Sequence, residues 1–217
     1  MTASSRRRWL APAVAIGAGL VTPLGESQAM GAAGYSPSES AYRSGKAAAT
    51  DGEARRHFQR GIDTARAVLS ASPDAPNALL WLSANLAGEA LTHGRIFALG
   101  VIPEIEGTLL RLDQTNPLYD HAAAARSLAN LYWKAPAIIS VGSSRKASQY
   151  FLQALARAPD FPGNQAMAAA FFADRGDCAR ARPLATAVSA RVDLDTFGPD
   201  ADEWRQLARA ALEDCEP

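Results

Sequence analysis

Three stretches of this 217-residue chain end in the same way. GIDTARAVLSASP closes at Pro73, IEGTLLRLDQTNP at Pro117 and KASQYFLQALARAP at Pro159, so the closing prolines stand 44 and 42 residues apart. In the third stretch Ala147, Phe151, Ala154, Leu155 and Pro159 fall at relative positions 0, 4, 7, 8 and 12. Offsets of four and seven put side chains on one face of a helix, and proline, which lacks an N–H, closes it. A small residue at 0 and 7 lets a neighbouring helix approach, while the large residue at 4 fills the space between them. Gly61, Ala65, Val68, Leu69 and Pro73 repeat this logic, as do Ile105, Leu109, Leu112 and Pro117. A unit that cannot bury its apolar face alone must stack on its neighbours, so such a chain is expected to fold as a helical array.

Composition supports helices throughout. Alanine, the strongest helix former, is abundant, while aromatics make up only 7% of the chain. The 16 glycines and 13 prolines are too many to sit inside helices, so they divide the chain into many short ones. Lys and Arg total 22, and so do Asp and Glu. That balance lacks the basic surplus that displaces counterions from a phosphate backbone, so nucleic acid is not an expected partner.

Arg6, Arg7 and Arg8 precede the apolar run at 9–20, and Ser27-Gln28-Ala29 offers small residues where a signal peptidase reads. That run is shorter than the ~20 residues a helix needs to cross a bilayer. Residues 1–29 are therefore expected to be a cleaved export signal, of the Sec or the twin-arginine type. Ser5-Arg6-Arg7-Arg8-Trp9-Leu10 resembles the twin-arginine pattern, with Trp9 where Phe is usual. No cysteine near residue 29 could carry a lipid, and no second long apolar run follows. The expected mature protein is periplasmic or secreted, without a stable membrane anchor. Cys178 and Cys215, the only cysteines, form neither a CxxC pair nor a zinc site. They fall at the start of one expected helix and just past the end of the next, and such ends lie side by side in an antiparallel hairpin. An exported chain can keep a disulfide there; two free thiols are the alternative.

The three stretches resemble the second helix of a tetratricopeptide (TPR) repeat, whose A-x3-F-x2-A-x4-P pattern they follow. From Pro162 a whole unit of about 34 residues matches. Ala169 and Phe172 take the small and aromatic positions, Gly176 the turn, and Ala181 opens the second helix. Earlier units are longer, with the additions at 92–101 and 135–143, and none has the full aromatic-Leu-Gly-Tyr signature; Trp81 and Trp133 stand nearest to it. WLSANL at 81–86, His93-Gly94-Arg95 and Ser144-Arg145-Lys146-Ala147 resemble a divergent TPR group. That group includes the periplasmic T component of TRAP transporters and the regulator of microtubule dynamics family. The resemblance implies an α-α superhelix that binds a protein partner, a periplasmic solute-binding protein in the transporter case, and needs no cofactor.

The expected fold is all-α, with a flexible linker at 30–36 and one TPR-like repeat domain at 37–217. About four hairpins are expected: 37–48 with 52–71, 75–91 with 95–114, 118–134 with 144–158, and 164–175 with 178–191. A capping helix follows at 200–214, starting at Asp200 or Asp202. Gly100 and Pro103 should kink or split the helix at 95–114.

First helices of stacked pairs line a concave groove. Asn85, Glu89, Arg126 and Asn130 are the exposed polar candidates there for partner binding, unless they merely meet solvent or local backbone; Arg126 and Asn130 share a face. The segment 135–143, with Ile138 and Ile139, is too apolar for an ordinary loop. Either it folds back over the core, or it docks a partner or an apolar ligand. Catalysis is not expected. His57, His93 and His121 sit in separate units without HExxH spacing, so no metal site is expected, and no phosphate-binding glycine motif follows a strand-like run. Ser143-Ser144 lacks GxSxG and reads as a helix N-cap, and Glu104 and Glu106 read as carboxylates near a helix start. The chain therefore reads as a non-catalytic scaffold of open oligomeric state, or alternatively as a carrier holding a small apolar molecule in a groove or pore.

Overall fold

The computed structural model describes residues 36–216. The expected export signal and linker residues 30–35 lie outside the described residues, whereas Ser36 caps the first helix, its Oγ accepting from the Glu39 amide. Among the described residues every regular element is helical and none is a strand. In order these are α1 (Pro37–Ala47), α2 (Asp51–Ala71), α3 (Pro76–His93), α4 (Arg95–Thr115) and α5 (Tyr119–Lys134). Then come α6 (Ser144–Arg157), α7 (Pro162–Asp174), α8 (Cys178–Ser189), a 3-10 segment (Leu194–Asp200) and α9 (Ala201–Glu213). α1 packs on α2, α3 on α4, α5 on α6 and α7 on α8, each pair lies against the next, and α9 covers both helices of the last. The architecture is the all-α helical-repeat superhelix implied by the spacing, four hairpins and a C-terminal cap.

The repeat extends to the backbone of the turns. Ser72, Asn116 and Ala158, the residues before the three closing prolines, share φ between −135° and −143° and ψ between 67° and 82°. The proline ring bars the helical conformation from the residue before it, so each helix stops there. Each of these residues donates its amide to the carbonyl four back, on Val68, Leu112 and Ala154 respectively. Each also accepts from the amide three residues on, from Ala75, Tyr119 and Phe161. One turn geometry therefore reverses the chain three times and keeps successive hairpins in register.

Helices α3, α5 and α7 have neighbours on opposite flanks and are buried around most of their circumference. Small side chains permit this. Ala122 to Ala125 in α5 and Ala166, Ala168 and Ala169 in α7 are sealed from solvent, and the larger Leu128, Phe151 and Phe172 fill the gaps between them. The second helices are amphipathic instead: α2 buries Ala54, Phe58, Gly61, Ile62 and Ala65, and α6 buries Ala147, Phe151 and Ala154, their other faces meeting water. Trp204 of α9 closes the last apolar face against Phe161 and Phe197.

The added residues at 92–101 fall mostly within α4, which starts at Arg95 as expected, with Gly94 alone, at φ 88°, between it and α3. Gly100 and Pro103 do not split α4: the Leu99 carbonyl that Pro103 cannot bond lies on the largely exposed N-terminal stretch, where water can satisfy it. α9 begins directly after Asp200, as expected, although the Asp200 carboxylate faces Arg43 rather than its own helix.

Cys178 opens α8, Cys215 follows α9, and the two are bonded, with Cα atoms 5.4 Å apart. The Arg182 guanidinium donates to the Cys215 carbonyl, tying the same two ends together. Loop-closure entropy for the 37-residue separation corresponds to about 4 kcal/mol. Replacing both cysteines by serine is expected to lower the unfolding free energy by about 2–4 kcal/mol in urea titration. An unchanged midpoint would show that α8 and α9 hold together without the bond.

Candidate functional site

The expectation that Asn85, Glu89, Arg126 and Asn130 are exposed is corrected: all four are buried. The reason is that α3 and α5 are packed on both flanks, so a polar residue there becomes part of the interior. Asn85 joins three helices. Its Nδ2 reaches the Trp81 carbonyl at 2.7 Å, the Ser38 carbonyl at 3.1 Å and Ser38 Oγ at 3.2 Å. Ser38 Oγ in turn donates to the Gly61 carbonyl at 2.8 Å. Gly61 admits this cluster because a Cβ there would lie 2.2 Å from Asn85 Oδ1. Glu89 lies one turn before His93, whose Nε2 is 3.8 Å from its carboxylate. Asn130 follows Arg126 by one turn of α5 and is buried with it.

Arg126, at 0% exposure, is the second polar hub. Its Nη1 donates to Asn164 Oδ1 at 2.9 Å and to the His121 carbonyl at 3.3 Å, and Nη2 donates to Asp120 Oδ2 at 3.4 Å. The guanidinium also stands 4.9 Å from the centre of the Phe161 ring. Asn164 Nδ2 meets the carbonyls of His121, Ala154 and Ala158 at 3.0–3.1 Å. The backbone held by this pair is left-handed: Asp120, His121 and Ala122 have φ of 45°, 56° and 63°. Non-glycine residues adopt that conformation at about 1–2 kcal/mol each, so the surroundings must impose it. Two donors on the His121 carbonyl do so, together with the His121 ring stacked on Phe161 at 4.3 Å. Burial pushes the Arg126 guanidinium below its ordinary value, against the pull of Asp120 and Asp200. Burial, and then Arg126, lower His121.

At Asp200 the ends of the array meet. Arg43 Nη2 lies 3.5 Å from Asp200 Oδ2, and Lys46 Nζ donates to Glu203 Oε2 at 3.0 Å across 157 residues of sequence. Arg43 and Lys46 belong to α1, so these two pairs tie the first helix to the C-terminal cap. Burial pushes the Glu39 and Glu203 carboxyls up, opposed by Arg43 and Lys46 respectively and reinforced by Asp200.

The remaining sequence candidates are scattered. His57, His93 and His121 belong to α2, α3 and α5, and among the described residues no group of His, Cys, Asp and Glu is placed to share a metal ion. Glu104 and Glu106 sit in the middle of α4, not at its start: Glu104 accepts from Arg66 at 2.7 Å and Glu106 from the Tyr132 hydroxyl at 2.6 Å. Ser143 caps α6, as expected of it or Ser144, its Oγ accepting from the Lys146 amide. Asn164 and Asp200 were missed by sequence reasoning. Two adjacent amides, Asn164 and Gln165, inside the otherwise apolar run PGNQAMAAAFFA were the available signal for Asn164; for Asp200 there was none.

Large apolar side chains stand in solvent at the edge where first helices turn into second ones. Ile96 on the lengthened α4 is 89% exposed, with Leu91 and Phe97 beside it and Phe97 stacked on His93 at 4.3 Å. In the α5–α6 loop Ile138 is 96% and Ile139 64% exposed, so these residues do not fold back over the core; Val141 alone of the loop packs inward. A half-open cavity of about 270 Å³ lies between α1, α2 and α3, lined by Tyr42, Phe58, Ala87 and Leu91 and also by the polar Lys46, Thr50, Asp51 and Thr92. No helix among the described residues is long and apolar enough to cross a membrane. No protein-family model matches the chain, and a search of curated proteins finds no match.

Arg126→Met withdraws a buried cation from Asp120 and a donor from Asn164, and is expected to destabilise the fold by about 3–5 kcal/mol in urea titration. A loss below about 1 kcal/mol would contradict its role as a hub. The raised carboxyls give a pH signature. The folded state holds their protons more tightly than the unfolded chain, so their stabilisation is full below the ordinary carboxylate range and is lost as pH rises through the raised values. Glu203→Gln should therefore gain stability relative to wild type between about pH 4 and pH 7. A midpoint difference independent of pH would contradict this.

Proposed function

We propose that the chain is an exported, non-catalytic helical-repeat scaffold that binds a protein partner in the cell envelope. The observation that carries the reading is the N-terminal extension of α4. It carries Ile96, 89% exposed, and Phe97, while Leu91 near the end of α3 is also in solvent. Exposed large apolar side chains are what the centre of a protein interface requires. Export draws support from the arginine-led apolar N-terminus and from the disulfide, which an oxidising compartment maintains. A periplasmic solute-binding protein as partner is the narrower form of the proposal and rests on the sequence resemblance. A photo-crosslinking residue at position 96, introduced in the exporting cell, should give one discrete protein adduct that Phe97→Asp abolishes. No adduct, or one indifferent to Phe97→Asp, would overturn the reading.

The cavity between α1, α2 and α3 favours a second reading, a carrier of small apolar molecules. It has nearly twice the ~150 Å³ that accommodates benzene, room for an apolar molecule of about a dozen heavy atoms. Native mass spectrometry should then show added mass that Ala49→Trp, at the exposed mouth, removes; a clean apo species in both proteins would exclude it.

A further inference from the structure

In a helical array each hairpin is held by its neighbours, so the two ends of the array can part without disturbing any pair. Here the ends meet. α1 packs on α2 and α3, and α9 on α7, α8 and the 3-10 segment, but no such packed face joins α1 to α9. Charged side chains span the gap instead. Lys46 Nζ donates to Glu203 Oε2 at 3.0 Å, and Arg43 Nη2 lies 3.5 Å from Asp200 Oδ2. The same guanidinium donates through Nε and Nη2 to Glu39 Oε1 at 3.0 and 2.9 Å.

The charges of this cluster do not balance. Glu39, Asp200 and Glu203 bring three carboxylates to two cations, and Glu39 and Asp200 are only 3% and 5% exposed. Asp200 Oδ2 and Glu203 Oε1 are buried acceptors that no donor among the described residues reaches. The other ionisable groups around them offer no spare positive charge. Arg126 of α5, which also feels Asp200, is matched by Asp120, and Arg205 is held by Asp195 and Asp202. Burial, then Glu203 and Asp200, push the Tyr42 phenol up, so it stays neutral. Among the described residues the carboxylates are not placed to share a metal ion. A proton on one carboxyl restores the balance and gives a stranded oxygen a donor. Burial, reinforced by Asp200 and opposed by Arg43 and Lys46 respectively, pushes the Glu39 and Glu203 carboxyls up. Closed ends therefore hold the proton more tightly than parted, hydrated ends, so acid favours closure and rising pH favours parting.

We propose that this cluster is a latch closed by one proton: with the proton in place it holds α1 to the C-terminal cap, and when the proton leaves to solvent, repulsion among the carboxylates lets the ends part. Lys46 and Tyr42 also line the cavity between α1, α2 and α3, so release of the latch frees a cation at that cavity. The latch does not depend on what the cavity or the α4 edge binds.

Spin labels on Ser44→Cys and Gln206→Cys, exposed positions of α1 and α9, report the separation of the ends by double electron–electron resonance. The native cysteines are bonded to each other and take no label. One short distance is expected at about pH 5, with a longer population growing toward about pH 8. The open-to-closed ratio should rise by up to about tenfold per pH unit, the limit for release of one proton. Glu203→Gln leaves two carboxylates against two cations, so it should keep the short distance throughout; Glu39→Gln should act in the same way. Lys46→Met should move the onset of parting to lower pH. Glu104→Gln, a carboxylate paired with Arg66 outside the cluster, should leave the profile unchanged. A distance independent of pH, parting that survives both glutamine substitutions, or ends that part on acidification would each overturn the proposal.

Discussion

Close approach of a neighbour to each flank is what the alanines of α5 and α7 allow. Ala122 to Ala125 and Ala166, Ala168 and Ala169 leave those helix surfaces smooth, and together with α3, which buries the larger Leu79, Leu80, Trp81 and Leu82, they form an inner layer beside the amphipathic second helices. The polar groups of the inner layer must then draw on protein partners. Asn85 reaches α1, and Arg126 and Asn164 bridge α5 to α7, because an unsatisfied buried amide or cation costs several kcal/mol. These few directional contacts fix the register of helices whose alanine surfaces alone would slide.

Ion pairs of Arg43 with Asp200 and of Lys46 with Glu203 join the first helix to the C-terminal cap. The two lengthened units place their extra residues at one edge, since both lie where a first helix turns into a second. The extension of α4 and the loop after α5 carry the highly exposed Ile96 and Ile138.

Helix positions were legible in the sequence because their determinants are local. A proline acts on the residue before it, and offsets of four and seven define a face whatever the rest of the chain does. The disulfide followed from the same map, since it needed only two helix ends side by side. What sequence could not separate was an inward from an outward polar residue. Arg126 in AAAARSLAN looks like a surface cation until α7 is known to cover its other flank. The excess length at 92–101 was visible, and so was the helix from 95 that takes up most of it. Asp200 sits in a run without periodicity, and its partner Arg43 is reached only through the curvature of the whole array.

Amide hydrogen exchange tests the enclosed inner layer most directly. Residues 122–130 of α5 should exchange only through global unfolding, with an opening free energy equal to that from urea titration, while 95–100 of α4 and 137–140 exchange within the mixing time. If 122–130 exchange through local openings as readily as the solvent-facing turns of α2, then the first helices are not enclosed and the account of their buried polar hubs is wrong.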